Sequence, residues 1–325
     1  MTNLRTLREV WKNHSSKIGL SAIARRASRE VFYPLLPDGL TFGSFALNVD
    51  LGDEGTYDTV HTYAPCVIKD GETYKMWYSG NNGSNYRIIY CTSSDGITWS
   101  NHQMVINIGD EGTYDVSTVF GCTVIKDGST YKMWYTGSAS SVYRIIYCTS
   151  NDGVNWSNHQ MVINIGDEGT YDTVLSYLPS VVKLDSTYHM WYSGTNGSNV
   201  RIIHCDSSNG TSWNNHQMVV DINQEGTYDV THAYSPSVYR YNNQYIMFYS
   251  GIDGSGDYRN LRCVSSDGVN WSDYQMVVDK GSEGTYDAKF SSSPGMLVDG
   301  SNLIMYYSGY DSSNVWRILR AVATS

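Results

Sequence analysis

Apolar residues in this chain come in runs of four to six, rich in aromatic and β-branched side chains and bounded by Gly, Asp, Asn and Ser. Such runs predict short β-strands. Cys66–Lys69 ends at Asp70-Gly71. Tyr74-Lys75-Met76-Trp77-Tyr78 follows and closes at Ser79-Gly80. Tyr86–Cys91 runs into Ser93-Ser94-Asp95-Gly96, and Met104–Ile108 is the fourth strand of the unit.

The unit repeats. Glu-Gly-Thr-Tyr-Asp occurs at 54–58, 111–115, 168–172, 225–229 and 283–287, so the spacing is 57 residues three times and 58 once. Fifteen residues, Asn101 to Asp115, recur unchanged as Asn158 to Asp172. Four strands per unit of this length describe a propeller blade. The fifth unit stops after its third strand, Val315–Ala323, while Asp38–Phe42 matches Asp95–Trp99 and Leu47–Leu51 matches Met104–Ile108. The chain therefore predicts an all-β, closed five-bladed propeller over residues 38–325, whose N-terminal strand completes the last blade and leaves no open edge.

Residues 1–37 differ in kind. Leu4, Leu7, Val10 and Trp11 share one helical face, and Leu20, Ile23 and Val31 share another, which predicts a helical arm. The arm holds seven Lys/Arg against Glu9 and Glu30, a charge of +5, so the remaining −15 of the total −10 lies on the propeller. So acidic a body repels nucleic acid. The arm is expected to anchor the chain, through those seven apolar residues, to other copies of itself or to a different subunit. No apolar run reaches the roughly 18 residues that span a bilayer, and basic residues interrupt every candidate secretion signal. Cytoplasmic synthesis is expected. Cys91, Cys148, Cys205 and Cys263 fall at one repeat position, too far apart for bridges, and read with Cys66 and Cys122 as reduced core residues. No cofactor and no metal are expected.

The units Pro65…Tyr74–Gly80 and Ser94-Asp95-Gly96-Ile97-Thr98-Trp99 resemble those of the five-bladed propellers of glycoside hydrolase families 32, 43, 62, 68 and 130. The resemblance implies a central pocket with carboxylates from three blades, each just before the Pro of an innermost strand. Here those positions hold Ala64, Gly121, Leu178, Ser235 and Ser293, none ionisable. No catalytic residue can be carried over. The pentapeptide carboxylates Asp58, Asp115, Asp172, Asp229 and Asp287 occur in every blade, as do Arg87, Arg144, Arg201, Arg259 and Arg317. Their joint repetition predicts Asp–Arg pairs bracing the strands.

Near the axis the blades differ, with His61, Tyr63, Phe120, Tyr177, His232 and Tyr234 as candidate ligand contacts, through ring stacking and hydrogen bonds to glycans. His102, His159 and His216, beside the outermost strands, are expected at the surface, and Trp77, Trp134 and Trp191 in the core. The reading that follows is a non-enzymatic structural or recognition subunit, a phage or virus particle component that displays a glycan-binding propeller. The alternative is a glycoside hydrolase or phosphorylase with an atypical site at the axis.

Overall fold

The computed structural model describes residues 40–52, 56–241 and 243–324. The predicted arm and its anchoring residues Leu4, Leu7, Val10, Trp11, Leu20, Ile23 and Val31 lie outside the described residues. So do the first two residues of the Asp38–Phe42 match.

Twenty strands form five antiparallel four-stranded sheets. The first, β1 (Thr41–Val49), belongs to the last blade. Blade one is β2 (His61–Asp70), β3 (Thr73–Asn81), β4 (Tyr86–Ser93) and β5 (Ser100–Ile106). Blade two is β6 (Thr118–Asp127), β7 (Thr130–Ala139), β8 (Val142–Ser150) and β9 (Trp156–Ile163). Blade three is β10 (Leu175–Leu184), β11 (Thr187–Thr195), β12 (Val200–Ser207) and β13 (Asn214–Val220). Blade four is β14 (His232–Tyr241), β15 (Gln244–Ile252), β16 (Tyr258–Ser265) and β17 (Ser272–Val278). Blade five is β18 (Phe290–Asp299), β19 (Asn302–Tyr310) and β20 (Trp316–Thr324), and β1 pairs with β20 from Thr41↔Thr324 to Val49↔Ile318. The predicted closure is present, with the closing strand running 41–49 rather than near 45–51.

The repeated motifs explain how the blades bind one another. In the Ser-x-Asp-Gly turn, Ser93 Oγ accepts the Gly96 N–H at 2.9 Å, and Asp95 Oδ1 accepts those of Ile97 and Thr98 at 2.8 Å. Gly96 sits at φ +70°, where a side chain would be strained. The turn leaves its glycine carbonyl outward, and the core tryptophan of the preceding blade donates to it. Trp77 reaches Gly153, Trp134 reaches Gly210 and Trp191 reaches Gly268, all at 2.9 Å, with the indoles fully buried. Tyr306 closes the circle onto Gly96 at 2.9 Å. At the remaining junction Phe248 has no donor and packs edge-on against Phe42, with ring centroids 5.8 Å apart.

Two belts run around the axis. Each innermost strand is bulged, with Ala64, Gly121, Leu178, Ser235 and Ser293 at φ +50 to +54°. Their N–H groups donate to Ser308, Ser79, Thr136, Ser193 and Ser250 of the previous blade at 2.8–2.9 Å. Two residues on, Cys66 Sγ and the hydroxyls of Thr123, Ser180 and Ser237 accept Val124, Val181, Val238 and Met296 N–H. The fifth member of this second belt is Gly295, where a Cβ would meet the Pro65 carbonyl oxygen at 2.2 Å. The six cysteines are free, and all but Cys66 are buried.

Candidate active site

The expected Asp–Arg brace is not formed. Each pentapeptide Asp is buried and takes the hydroxyl of the strand-two tyrosine. Tyr78 donates to Asp58, Tyr135 to Asp115, Tyr192 to Asp172, Tyr249 to Asp229 and Tyr307 to Asp287, at 2.6–3.2 Å. In blades two to four the same carboxylate also collects the N–H groups of its own Glu and Gly, as Asp115 does from Glu111 and Gly112. Hydroxyl and amide donors satisfy these carboxylates without a cation. On their other side, His102, His159 and His216 place Nδ1 2.9–3.2 Å from the same tyrosine hydroxyls. Only His102 is as exposed as expected; the other two are half-buried.

The repeated arginines contact the pentapeptide through its tyrosine. Arg87, Arg144, Arg201, Arg259 and Arg317 lie over Tyr57, Tyr114, Tyr171, Tyr228 and Tyr286, 4.7–5.1 Å from the ring centres. Each Nε donates to the residue after the fourth strand: Asn107, Asn164, Asp221, Asp279 and Asp50, respectively. Carboxylate–cation braces between neighbouring blades do exist, on the opposite face. Asp299 pairs with Lys69 of blade one at 2.7 Å, Asp70 with Lys126 of blade two at 2.5 Å, and Asp127 with Lys183 of blade three at 2.7 Å. Tyr74, Tyr131 and Tyr188 donate to the same three aspartates.

The innermost strands start at the pentapeptide face, so their first residues surround the mouth of the axis. Tyr63, Tyr177 and Tyr234 are half-buried there, Phe120 is nearly buried, and with Ala64 and Leu178 they form one apolar cluster. Tyr86 and Tyr143 join it; Tyr258, Phe290, Tyr310 and Trp316 extend the collar. Tyr63 lies 5.0 Å from Tyr86, Phe120 5.2 Å from Tyr143, Tyr143 5.8 Å from Tyr177, Tyr258 4.3 Å from Phe290, and Tyr310 4.6 Å from Trp316. Burial raises the phenol pKa of Tyr63, Tyr86, Tyr177, Tyr234 and Tyr258 above the usual value, so these hydroxyls stay neutral. The Tyr234 hydroxyl continues into Ser292 and Ser250 at 2.8 and 3.2 Å. Deeper along the strands, the bulge residues and their prolines line a cavity of about 180 Å³.

All six expected contacts therefore border this mouth, but the two histidines are tied into the frame. His61 Nδ1 accepts the Trp316 N–H at 3.3 Å, and His232 Nδ1 lies 2.5 Å from the Thr231 carbonyl oxygen, to which it donates. Tyr86, Tyr143, Tyr258 and Trp316 were missed. Their signal was present: each precedes the repeated arginine, at a position reading Tyr, Tyr, Val, Tyr, Trp. Asp311 lies close enough to favour protonation of His61, although burial outweighs it and holds that imidazole's pKa below the ordinary value. Among the described residues no three His, Cys, Asp or Glu groups are placed to hold a metal ion, and no helix is long and apolar enough to cross a membrane.

Three comparisons place this architecture. The family model for glycoside hydrolase family 130, described as beta-1,4-mannooligosaccharide phosphorylase, matches residues 113–323. An uncharacterised protein of Mycobacterium tuberculosis is 32% identical over 144 residues, which are 40% of this chain and 45% of that protein, so the match spans under half of the relative's length. Among solved structures, one titled for family 130 mannoside phosphorylases and hydrolases of beta-1,2 mannosidic linkages in Candida mannan superposes with a TM-score of 0.70 at 15% identity, covering 89% of this chain and 96% of that one. A Coprinopsis cinerea family 62 alpha-L-arabinofuranosidase gives 0.63 at 14%, covering 88% and 96%. The family match overturns the expectation of a non-enzymatic structural or virion subunit. That expectation took the absence of carboxylates from five bulge positions as an absence of activity, whereas it excludes one placement of the acid. The chain belongs to glycoside hydrolase family 130.

Proposed function

We propose that the chain cleaves a glycosidic linkage of a mannose-containing saccharide at the collar on the pentapeptide face, by transfer to phosphate or to water. The family match over residues 113–323 carries the reading. The collar supports the location, because neutral tyrosine hydroxyls and ring faces suit a ligand that is apolar on one side and hydroxylated at its edge.

Among its bulge positions the axis has no acid and no base. Phosphorolysis asks less of the protein than hydrolysis does. Phosphate brings its own nucleophilic oxygen, so a bond from that oxygen to C1 forms as the glycosidic C1–O bond breaks. The protein then supplies one proton to the departing sugar oxygen. His61 is the collar group best suited to this. Its Nδ1 accepts the Trp316 N–H through a long bond of 3.3 Å that is given up when the ring takes its second proton. Asp311 favours that charged form, and Nε2 then carries the proton for the departing oxygen. Because burial lowers the His61 pKa, the proton-bearing state fades as pH rises through a value below the ordinary 6.5. Turnover is expected to be greatest on the acid side of neutrality.

The test is product chromatography from β-1,4-mannobiose with and without phosphate. Mannose 1-phosphate marks phosphorolysis, and free mannose alone marks hydrolysis. His61→Asn keeps an acceptor for Trp316 and should lower kcat by about 10²–10⁴-fold. Unchanged turnover in that variant would place the proton donor elsewhere, and the absence of both products from the wild type would refute the proposal.

A further inference from the structure

The five-fold repeat presents one arginine site five times, and the chain fills its copies unequally. Arg259 meets three carboxylates: Asp253 at 2.6 Å, Asp279 at 2.7 Å and Asp257 at 3.7 Å. Arg317 meets Asp50 at 2.6 Å and Asp311 at 2.5 Å. Arg201 meets Asp221 alone. Arg87 and Arg144 meet none among the described residues; their Nε groups donate to the amide oxygens of Asn107 and Asn164 at 2.8 and 2.7 Å. The nearby Asp110 and Asp167 are turned onto the backbone N–H of Asn107 and Asn164 and make no ion pair with either arginine.

The difference has a local cause. In blades four and five the hairpin joining strands two and three is one residue longer, with Gly251 opposite Arg259 and Gly309 opposite Arg317. Its second residue past that glycine, Asp253 or Asp311, turns back to cap Nη1. In blades one and two the hairpin is shorter, with Gly80 opposite Arg87 and Gly137 opposite Arg144, and the matching residues are Asn82 and Ala139. Both arginines are half-buried, with the guanidinium carbon 4.8 Å from the ring centre of Tyr57 or Tyr114 and Nε bonded to Asn107 or Asn164, so each head is positioned before any ligand arrives. A positioned, charged fork whose Nη groups meet no carboxylate among the described residues, with Arg87 Nη1 reaching only the Asn85 carbonyl oxygen at 3.5 Å, matches the geometry of carboxylate and phosphate oxygens.

We infer that Arg87 and Arg144 form two equivalent oxyanion sites on the pentapeptide face, each taking a carboxylate or phosphate group where blades four and five place Asp253 and Asp311. The sites stand apart from the proposed chemistry at His61. Each arginine follows a collar tyrosine, Tyr86 or Tyr143, in sequence and points to the other side of its strand. An acidic sugar residue and a phosphate group present the same oxygens, and the test separates them.

Isothermal titration of the full chain at low ionic strength, with inorganic phosphate in one arm and glucuronate in the other, should give saturable binding in at least one. Phosphate alone would identify a phosphate-bearing ligand, and glucuronate alone an acidic sugar. The double variant Arg87→Gln with Arg144→Gln should weaken that binding at least tenfold. Asn82→Asp with Ala139→Asp changes two half-buried hairpin positions, supplies the missing carboxylates internally, and should compete the anion out to a similar extent. Binding of neither anion, or binding untouched by both double variants, would overturn the inference.

Discussion

At the scale of single residues, each repeated charged side chain in this propeller needs a partner, and the repeated aspartates and arginines find different ones. Asp58 and its four equivalents repeat together with five arginines, yet the carboxylate is satisfied by hydroxyl and amide donors while the guanidinium lies on the neighbouring tyrosine. Joint repetition reports a shared blade, not a shared bond. The departures from the repeat are more informative. Where blades one and two carry Tyr90 and Tyr147 against the core tryptophan, blade three carries His204, 5.1 Å from Trp191 and 3% exposed. Its Nε2 lies 3.2 Å from His189 Nδ1, and its own Nδ1 has no partner. Burial first, and then the charge of His189 and His216, push its pKa down to about 4, against the opposing pull of Asp206 and Asp267. The native imidazole is neutral, whereas the unfolded chain takes up its proton near 6.5. The contribution to stability is therefore full above about 6.5 and is lost as pH falls towards 4, by on the order of 3 kcal/mol. Thermal unfolding followed between pH 7 and 4 should show a steeper fall for the wild type than for His204→Tyr, which restores the residue of blades one and two. Parallel curves would contradict this.

At the scale of elements, the strands, the turns and the closing strand were legible because each rests on local chemistry repeated five times. The run Tyr74–Tyr78 can only be a core strand, and Ser93-Ser94-Asp95-Gly96 fixes its own turn through Ser93 and Asp95. What could not be read was the contact between blades. The belts join residues about 42 or 58 positions apart, and no pattern within one blade says which neighbour a hydroxyl will meet. Gly295 shows the consequence. Its equivalents are Cys66, Thr123, Ser180 and Ser237, and only the structure shows that a side chain here would strike the Pro65 carbonyl across the junction of the last and first blades. Gly295→Ala should destabilise the closed ring by about 1–3 kcal/mol through overpacking, lowering Tm by several degrees. An unchanged Tm would mean that the junction between β18 and β2 is looser than described.

At the scale of the whole molecule, five nearly equal blades leave the axis as the place where one ligand can meet all of them, and inequality between blades as the source of function. The candidate site was half visible in the sequence. Tyr63, Phe120, Tyr177 and Tyr234 follow from their distance to the pentapeptide, whereas Tyr86, Tyr143, Tyr258 and Trp316 approach from the third strands and become neighbours only on folding. The bare bulge positions pointed away from an enzyme, and membership of family 130 corrects that direction. The claim that the collar is where saccharide is handled is tested most directly by a crystal structure of the chain with bound β-1,4-mannobiose. The account predicts sugar rings stacked within the collar at Tyr86, Tyr143 or Trp316, with the glycosidic oxygen within hydrogen-bond reach of His61 Nε2. Saccharide bound at a blade edge or on the Asp-Gly turn face, with the collar empty, would contradict it.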